Sequence, residues 1–219
     1  MNFIFIILTF LISAVIARIL IPRILLISLR KKLFDIPDDR KIHKRAIPRL
    51  GGVSFFPTTL FAFCLVYAFR LLDGDSISTL YASYLLPELL LFACGMTLLY
   101  LTGIADDLVG VRYRQKFAIQ IFCACLFPLS GLWINDLYGL FGIHELSAYV
   151  GIPFTVLTVV FITNAINLID GIDGLASGLS SVALLVFTFL FISKGLWSYA
   201  MLSAGTFGVL VPFFYYNVF

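Results

Sequence analysis

Asn164, Asn167, Asp170 and Asp173 recur at three-residue steps. On a helix that step keeps neighbouring side chains on adjoining parts of one face. Gly171 and Gly174 interrupt the run, and glycine loosens the backbone, so the spacing predicts a motif where a helix ends and a loop begins. An apolar stretch, Ile152 to Ile162, leads into it. Four hydrogen-bonding groups at the end of an apolar helix pack poorly. They make a good oxygen-rich site for a hard cation and a phosphate.

Two other stretches carry the same kind of chemistry. Asp106 and Asp107 are adjacent acids in Gly103 to Phe117, which reads as a short loop at a membrane boundary. An ionised Asp within hydrocarbon costs on the order of 2.5–3.5 kcal/mol, so the pair must reach water, a cation or basic partners. Arg112, Arg114 and Lys116 follow closely and suit an anionic ligand. Phe34 to Gly52 mixes acids, bases, His43, two prolines and a Gly-Gly. Anchoring to lipid headgroups needs no such mixture. A loop gripping a phosphorylated ligand uses it, because Lys and Arg pair with phosphate and glycine admits close backbone N–H groups.

The elements that must position these residues are membrane helices. The 219 residues are 61% hydrophobic and only 12% charged, where a soluble domain carries about 25% charged residues. Several apolar runs approach the roughly 20 residues that cross a bilayer. The pattern predicts an all-α polytopic bundle with about seven spans and no soluble domain. The spans are Met1–Pro22, Gly51–Leu72, Leu85–Ile104, Phe117–Ile134, Ala148–Thr163, Leu175–Ser193 and Leu196–Tyr215. A basic loop is expected from Arg23 to Arg49. Of the fifteen Lys and Arg, twelve fall in the two loops expected inside, and only Arg70 and Lys194 at outward ends. The positive-inside rule therefore puts all three polar turns on the cytoplasmic face. Cys64, Cys94, Cys123 and Cys125 lie inside apolar runs and read as small core residues. Glu88 is a lone acid near an outer end, and His144 reads as a surface histidine on the outer loop.

Carboxylates and amides without Cys or paired His suit Mg²⁺ or Mn²⁺ rather than zinc. Basic loops beside them suit a diphosphate. The residue types alone therefore point to metal-assisted phosphoryl transfer at the inner membrane surface. They do not specify the sugar or the lipid. A transporter is a weaker reading, because the motif acids sit at span boundaries rather than within spans.

The three motifs together carry a resemblance. Asp35 to His43 with Pro48 to Gly52, then Asp106-Asp107, then Asn164 to Leu175 resemble the polyprenyl-phosphate N-acetylhexosamine-1-phosphate transferases, glycosyltransferase family 4. Arg40-Lys41-Ile42-His43 and Pro48-Arg49 look more like the GlcNAc-1-phosphate branch than the muramoyl-pentapeptide branch. The resemblance implies transfer of a sugar 1-phosphate from a UDP-N-acetylhexosamine to undecaprenyl phosphate, releasing UMP, with Mg²⁺. It implies a bacterial inner-membrane enzyme at the first step of a cell-envelope polysaccharide, with no nucleic-acid partner and a homodimer as one form of assembly. Carried onto this chain, Asp106 and Asp107 match the catalytic pair, and Asn167 and Asp170 match residues around the metal. Asp173 and Lys116 match residues on the substrate side, and Lys44 and Arg49 are diphosphate contacts. Family members run well past roughly 300 residues with about ten or eleven spans. The chain is thus expected to be one transferase domain lacking the C-terminal third, with weak or no activity by itself. A truncated, non-catalytic relative is the alternative.

Overall fold

A computed structural model describes residues 2–31, 34–35, 47–48, 51–73, 76–170, 172 and 174–218. Seven long α-helices dominate it: α1 Asn2–Arg30, α2 Phe55–Leu72, α3 Ser76–Val109, α4 Tyr113–Leu129, α5 Ala148–Ile169, α6 Leu175–Ser193 and α7 Trp197–Val218. All but α4 are long and apolar enough to cross a bilayer, so the chain is a multi-pass membrane protein. With 17 residues, α4 rises about 25 Å, short of a hydrocarbon core of about 30 Å. Two residues on either side of the basic segment pair antiparallel, Phe34 opposite Pro48 and Asp35 opposite Ile47. The sequence reading held no strand there.

Two of the boundaries that differ from expectation move charged residues into helices. α1 continues through Pro22 to Arg30, so Arg23 and Arg30 are helical rather than part of a basic loop. Both are exposed, and arginine is a good helix former, so charge alone does not end the helix. α3 continues to Val109, so Asp106 and Asp107 lie in its last turn rather than in a loop. The stop comes at Gly110, whose φ of +73° takes the chain out of the helix while its N–H donates to the Asp106 carbonyl at 3.0 Å.

The helices divide into two compact units, residues 1–75 with 167–219, and residues 76–166. In the first, α7 is central: 56% of its spanning window is buried, against 28% for α1 and for α2. It packs on α1, α6 and α2. Small residues allow the approach. A Cβ at Gly208 would stand 2.5 Å from the Phe10 carbonyl oxygen, and one at Gly205 would stand 3.0 Å from Thr9. Lipid supplies no hydrophobic drive between helices, so such close backbone contact is what holds them. Ala17, Ile21 and Val209 form the buried centre, with Leu25, Phe55, Phe213 and Tyr216 around them.

In the second unit α3 and α4 form a tight antiparallel hairpin. Gly95 on α3 faces Leu126 and Cys123 on α4, and the Cys123 thiol lies 3.4 Å from the Gly95 carbonyl. Gln120, buried on α4, accepts a 2.8 Å hydrogen bond from the Asn164 amide on α5. That amide also donates to the Val160 carbonyl. A polar pair inside a bundle satisfies itself this way, since lipid offers no partner.

Candidate functional site

Each unit holds one part of the expected site. In the second unit the part is the α3–α4 turn. Asp106 is half-buried and both of its carboxylate oxygens are engaged. Oδ1 accepts the Val111 N–H at 3.0 Å, and Oδ2 accepts from Lys116 Nζ at 2.8 Å. Lys116, expected to meet substrate, therefore pairs within its own hairpin. Asp107, also half-buried, follows Asp106 by one position, which turns it by about 100° around α3. The two neighbouring acids thus have different surroundings. Asp106 locks the turn, and Asp107 presents its carboxylate on another part of the circumference. Arg114 sits against the Tyr113 ring at 5.7 Å.

In the first unit the part is the end of α5. The helix stops at Ile169, where the glycine-interrupted motif predicts a helix end. Asn167 is in its last turn and Asp170 follows it, both solvent-accessible. The Ile172 N–H donates to the Ile169 carbonyl at 3.2 Å, and the Leu175 N–H to the Ile172 carbonyl at 3.1 Å. Asp170 keeps contact with solvent, yet protein atoms crowd it enough that desolvation pushes its carboxyl up from the ordinary value.

Asn217 is a residue that the sequence reading passed over. Its Oδ1 accepts the Gly174 N–H at 2.9 Å, which ties the end of the motif to the end of α7. Gly174 has φ +74°, and a Cβ there would meet Val218 at 2.5 Å and Phe214 at 3.4 Å. The signal in the sequence was weak: a lone amide in Tyr216-Asn217-Val218. Lys44, Arg49 and Asp173 lie outside the described residues.

Among the described residues no three His, Cys, Asp or Glu side chains gather as a metal cage. The donors at hand are carboxylate and amide oxygens, which suit a hard cation by type. Asp170, whose anionic form burial disfavours, is a group that a nearby cation's charge would relieve.

A family model described as "Glycosyl transferase family 4" matches residues 89–219. The chain is 29% identical, over 97% of its length, to a probable undecaprenyl-phosphate N-acetylglucosaminyl 1-phosphate transferase of Bacillus subtilis (strain 168), covering 55% of that protein. It is 29% identical, again over 97% of its length, to a phospho-N-acetylmuramoyl-pentapeptide-transferase of Staphylococcus carnosus, covering 65% of it. An undecaprenyl-phosphate alpha-N-acetylglucosaminyl 1-phosphate transferase of Escherichia coli (strain K12) is 29% identical over 78% of the chain, which covers 44% of that relative. The chain thus spans about half to two thirds of the length of these relatives.

Proposed function

Because the chain belongs to glycosyltransferase family 4, we propose that it carries the machinery for moving a sugar 1-phosphate from a UDP-N-acetylhexosamine to undecaprenyl phosphate. In that reaction an oxygen of the lipid phosphate attacks the sugar-bearing phosphorus of the nucleotide. The bond between that phosphorus and the UMP oxygen breaks, and UMP leaves. A new diphosphate joins lipid to sugar.

The observation that carries the reading is the pair of unlike carboxylates ending α3. Asp107 is assigned as the base that accepts the proton of the lipid phosphate, and Asp106 as the residue that fixes the turn bearing it. Asn167 and Asp170 would hold Mg²⁺ or Mn²⁺, which supplies positive charge to the diphosphate and to departing UMP. Asp173, Lys44 and Arg49 are assigned to the substrate side. Holding two anions together is itself costly, so positioning and charge neutralisation account for most of the expected acceleration. The concentration of Lys and Arg in residues 23–49 and 112–116 supports a bacterial inner membrane with the reacting face in the cytoplasm. The Arg40 to His43 and Pro48-Arg49 wording favours GlcNAc as the sugar.

The test is UMP release in detergent micelles with undecaprenyl phosphate. It uses UDP-GlcNAc or UDP-MurNAc-pentapeptide as donor, with and without Mg²⁺. It is run on the 219-residue chain and on a chimera that appends the remaining segment of the Bacillus subtilis relative. Release from UDP-GlcNAc by the chimera, dependent on the acceptor lipid, is expected. A chimera that folds, binds neither nucleotide and releases no UMP removes the assignment.

A further inference from the structure

The connection between α4 and α5 is not built like an ordinary water-exposed loop. Tyr138, Phe141 and Tyr149 are 87%, 89% and 92% exposed, and Leu140 is exposed beside them. Tyr138 and Phe141 hold φ of 51° and 56°, a left-handed conformation that costs non-glycine residues about 1–2 kcal/mol each. Two large rings are thus held outward against a local penalty. From Leu137 to Ile143 the tip carries no charge.

The backbone beneath these rings is satisfied internally. The Leu137 N–H donates to the His144 carbonyl at 2.9 Å, Gly139 to Ile143 at 3.0 Å, and Leu146 to Asn135 at 2.8 Å. Asp136 Oδ1 accepts the Tyr138 N–H at 2.6 Å. The Ile134 N–H donates to Thr155 Oγ1 on α5 at 2.9 Å. Trp133 packs into the notch at Gly151, where a Cβ would come within 2.5 Å of the ring. A segment with few backbone groups left for water tolerates a low-polarity surrounding.

The depth of the segment follows from α4. The Phe127 ring packs edge-on to Phe92 of α3 with centroids 6.3 Å apart, and Ser130 and Leu132 line the same cleft as Glu88. Glu88 and Phe92 lie within the apolar span Leu85–Val109 of α3, so α4 stops alongside that span. The chain therefore leaves α4 while still at the level of lipid.

We infer that residues 133–149 form an interfacial anchor, seating Tyr138, Leu140, Phe141 and Tyr149 in the boundary between phospholipid headgroups and acyl chains. The leaflet is the one at the far end of α4 from Asp106. Tyrosine and tryptophan favour that zone because one end of the ring system is apolar and the other is wet. A second protein is the less fitting occupant, since the short α4 already places the tip at the bilayer.

The experiment places a single indole at the tip, by Phe141→Trp or separately by Tyr149→Trp, with Trp133→Phe and Trp197→Phe removing the native ones. Because Trp133 fills the Gly151 notch, a second set retains it and reads the difference from the parent protein. In phosphatidylcholine vesicles the new indole should emit to the blue. Acyl-brominated phosphatidylcholine should quench it severalfold more than aqueous acrylamide does. Strong acrylamide quenching with no response to brominated lipid, at both positions and in both sets, overturns the anchor.

Discussion

Lys116 Nζ lies 2.8 Å from Asp106 Oδ2, across the turn that joins α3 to α4. Each charge sits where its own helix dipole opposes it, the acid in the last turn of α3 and the base in the first turn of α4. Each therefore offsets the other's unfavourable position. Their side chains are 30% and 31% exposed, so screening limits the pair to about 0.5–1 kcal/mol. Lys116→Ala should lower the unfolding free energy by about that amount. Asp106→Ala should cost about 1–2 kcal/mol, because Val111 N–H also loses its acceptor. A double-mutant cycle on denaturant unfolding in micelles reads the coupling; no coupling means that the pair is incidental.

The division of labour between the acids predicts different profiles. Asp107→Asn should cut UMP release by roughly 10²–10⁴-fold, the usual worth of a positioned base. Asp106→Asn should lower both stability and rate. Calorimetry beside the transfer assay separates them, and an Asp107→Asn protein at full speed ends the base assignment.

Asp170 gives a pH dependence whose sign is fixed. Desolvation raises its folded-state pKa, while the unfolded chain titrates near the usual value of about 3.9. Between those values the folded protein binds more protons, so without metal it gains stability as pH falls through the raised value. At neutral pH the ionised group is a small burden. Metal binding needs the carboxylate, so Mn²⁺ affinity should fall over the same interval, above the ordinary carboxylate midpoint. Asp170→Asn should abolish that binding and slightly stabilise the metal-free protein at neutral pH. Mn²⁺ resonance titrations at stepped pH provide the check.

Two glycines with nearly the same backbone angle should respond differently. Gly110 has φ +73° with open space where a Cβ would go, and Gly174 has φ +74° with Val218 at 2.5 Å. Gly110→Ala should cost only the left-handed penalty of about 1–2 kcal/mol. Gly174→Ala should cost more, because Val218 or α7 must shift. Asn217→Leu should reproduce part of that loss by removing the acceptor of the Gly174 N–H. Thermal unfolding of the three variants ranks them, and equal losses at the two glycines refute the packing account.

Much of this architecture was legible in composition and hydropathy. α6 falls at the expected Leu175–Ser193, and α5 starts at the expected Ala148 and ends within its motif. The unexpected ends of α1 and α3 share one cause: charge is not a loop signal by itself. Arg23, Arg30, Asp106 and Asp107 are all helical, because exposed or paired charges do not break a helix. Span length misled at α4, whose end is set by packing on α3 rather than by bilayer thickness. At the two turns, which side chains pair was not readable. That Lys116 serves Asp106, and that Asn217 holds Gly174, depends on contacts across turns and over 43 residues.

The α3–α4 turn has a consequence for biogenesis. Asp106, Gly110, Val111 and Lys116 lie within eleven consecutive residues, and loops this short close fast at little entropic penalty. The ion pair and the Val111 hydrogen bond can therefore form as this turn emerges from the ribosome, before α7 is complete. One acidic turn is thus shaped during translation, while the Asp170 turn must wait for the C-terminal end of α7 to be synthesised.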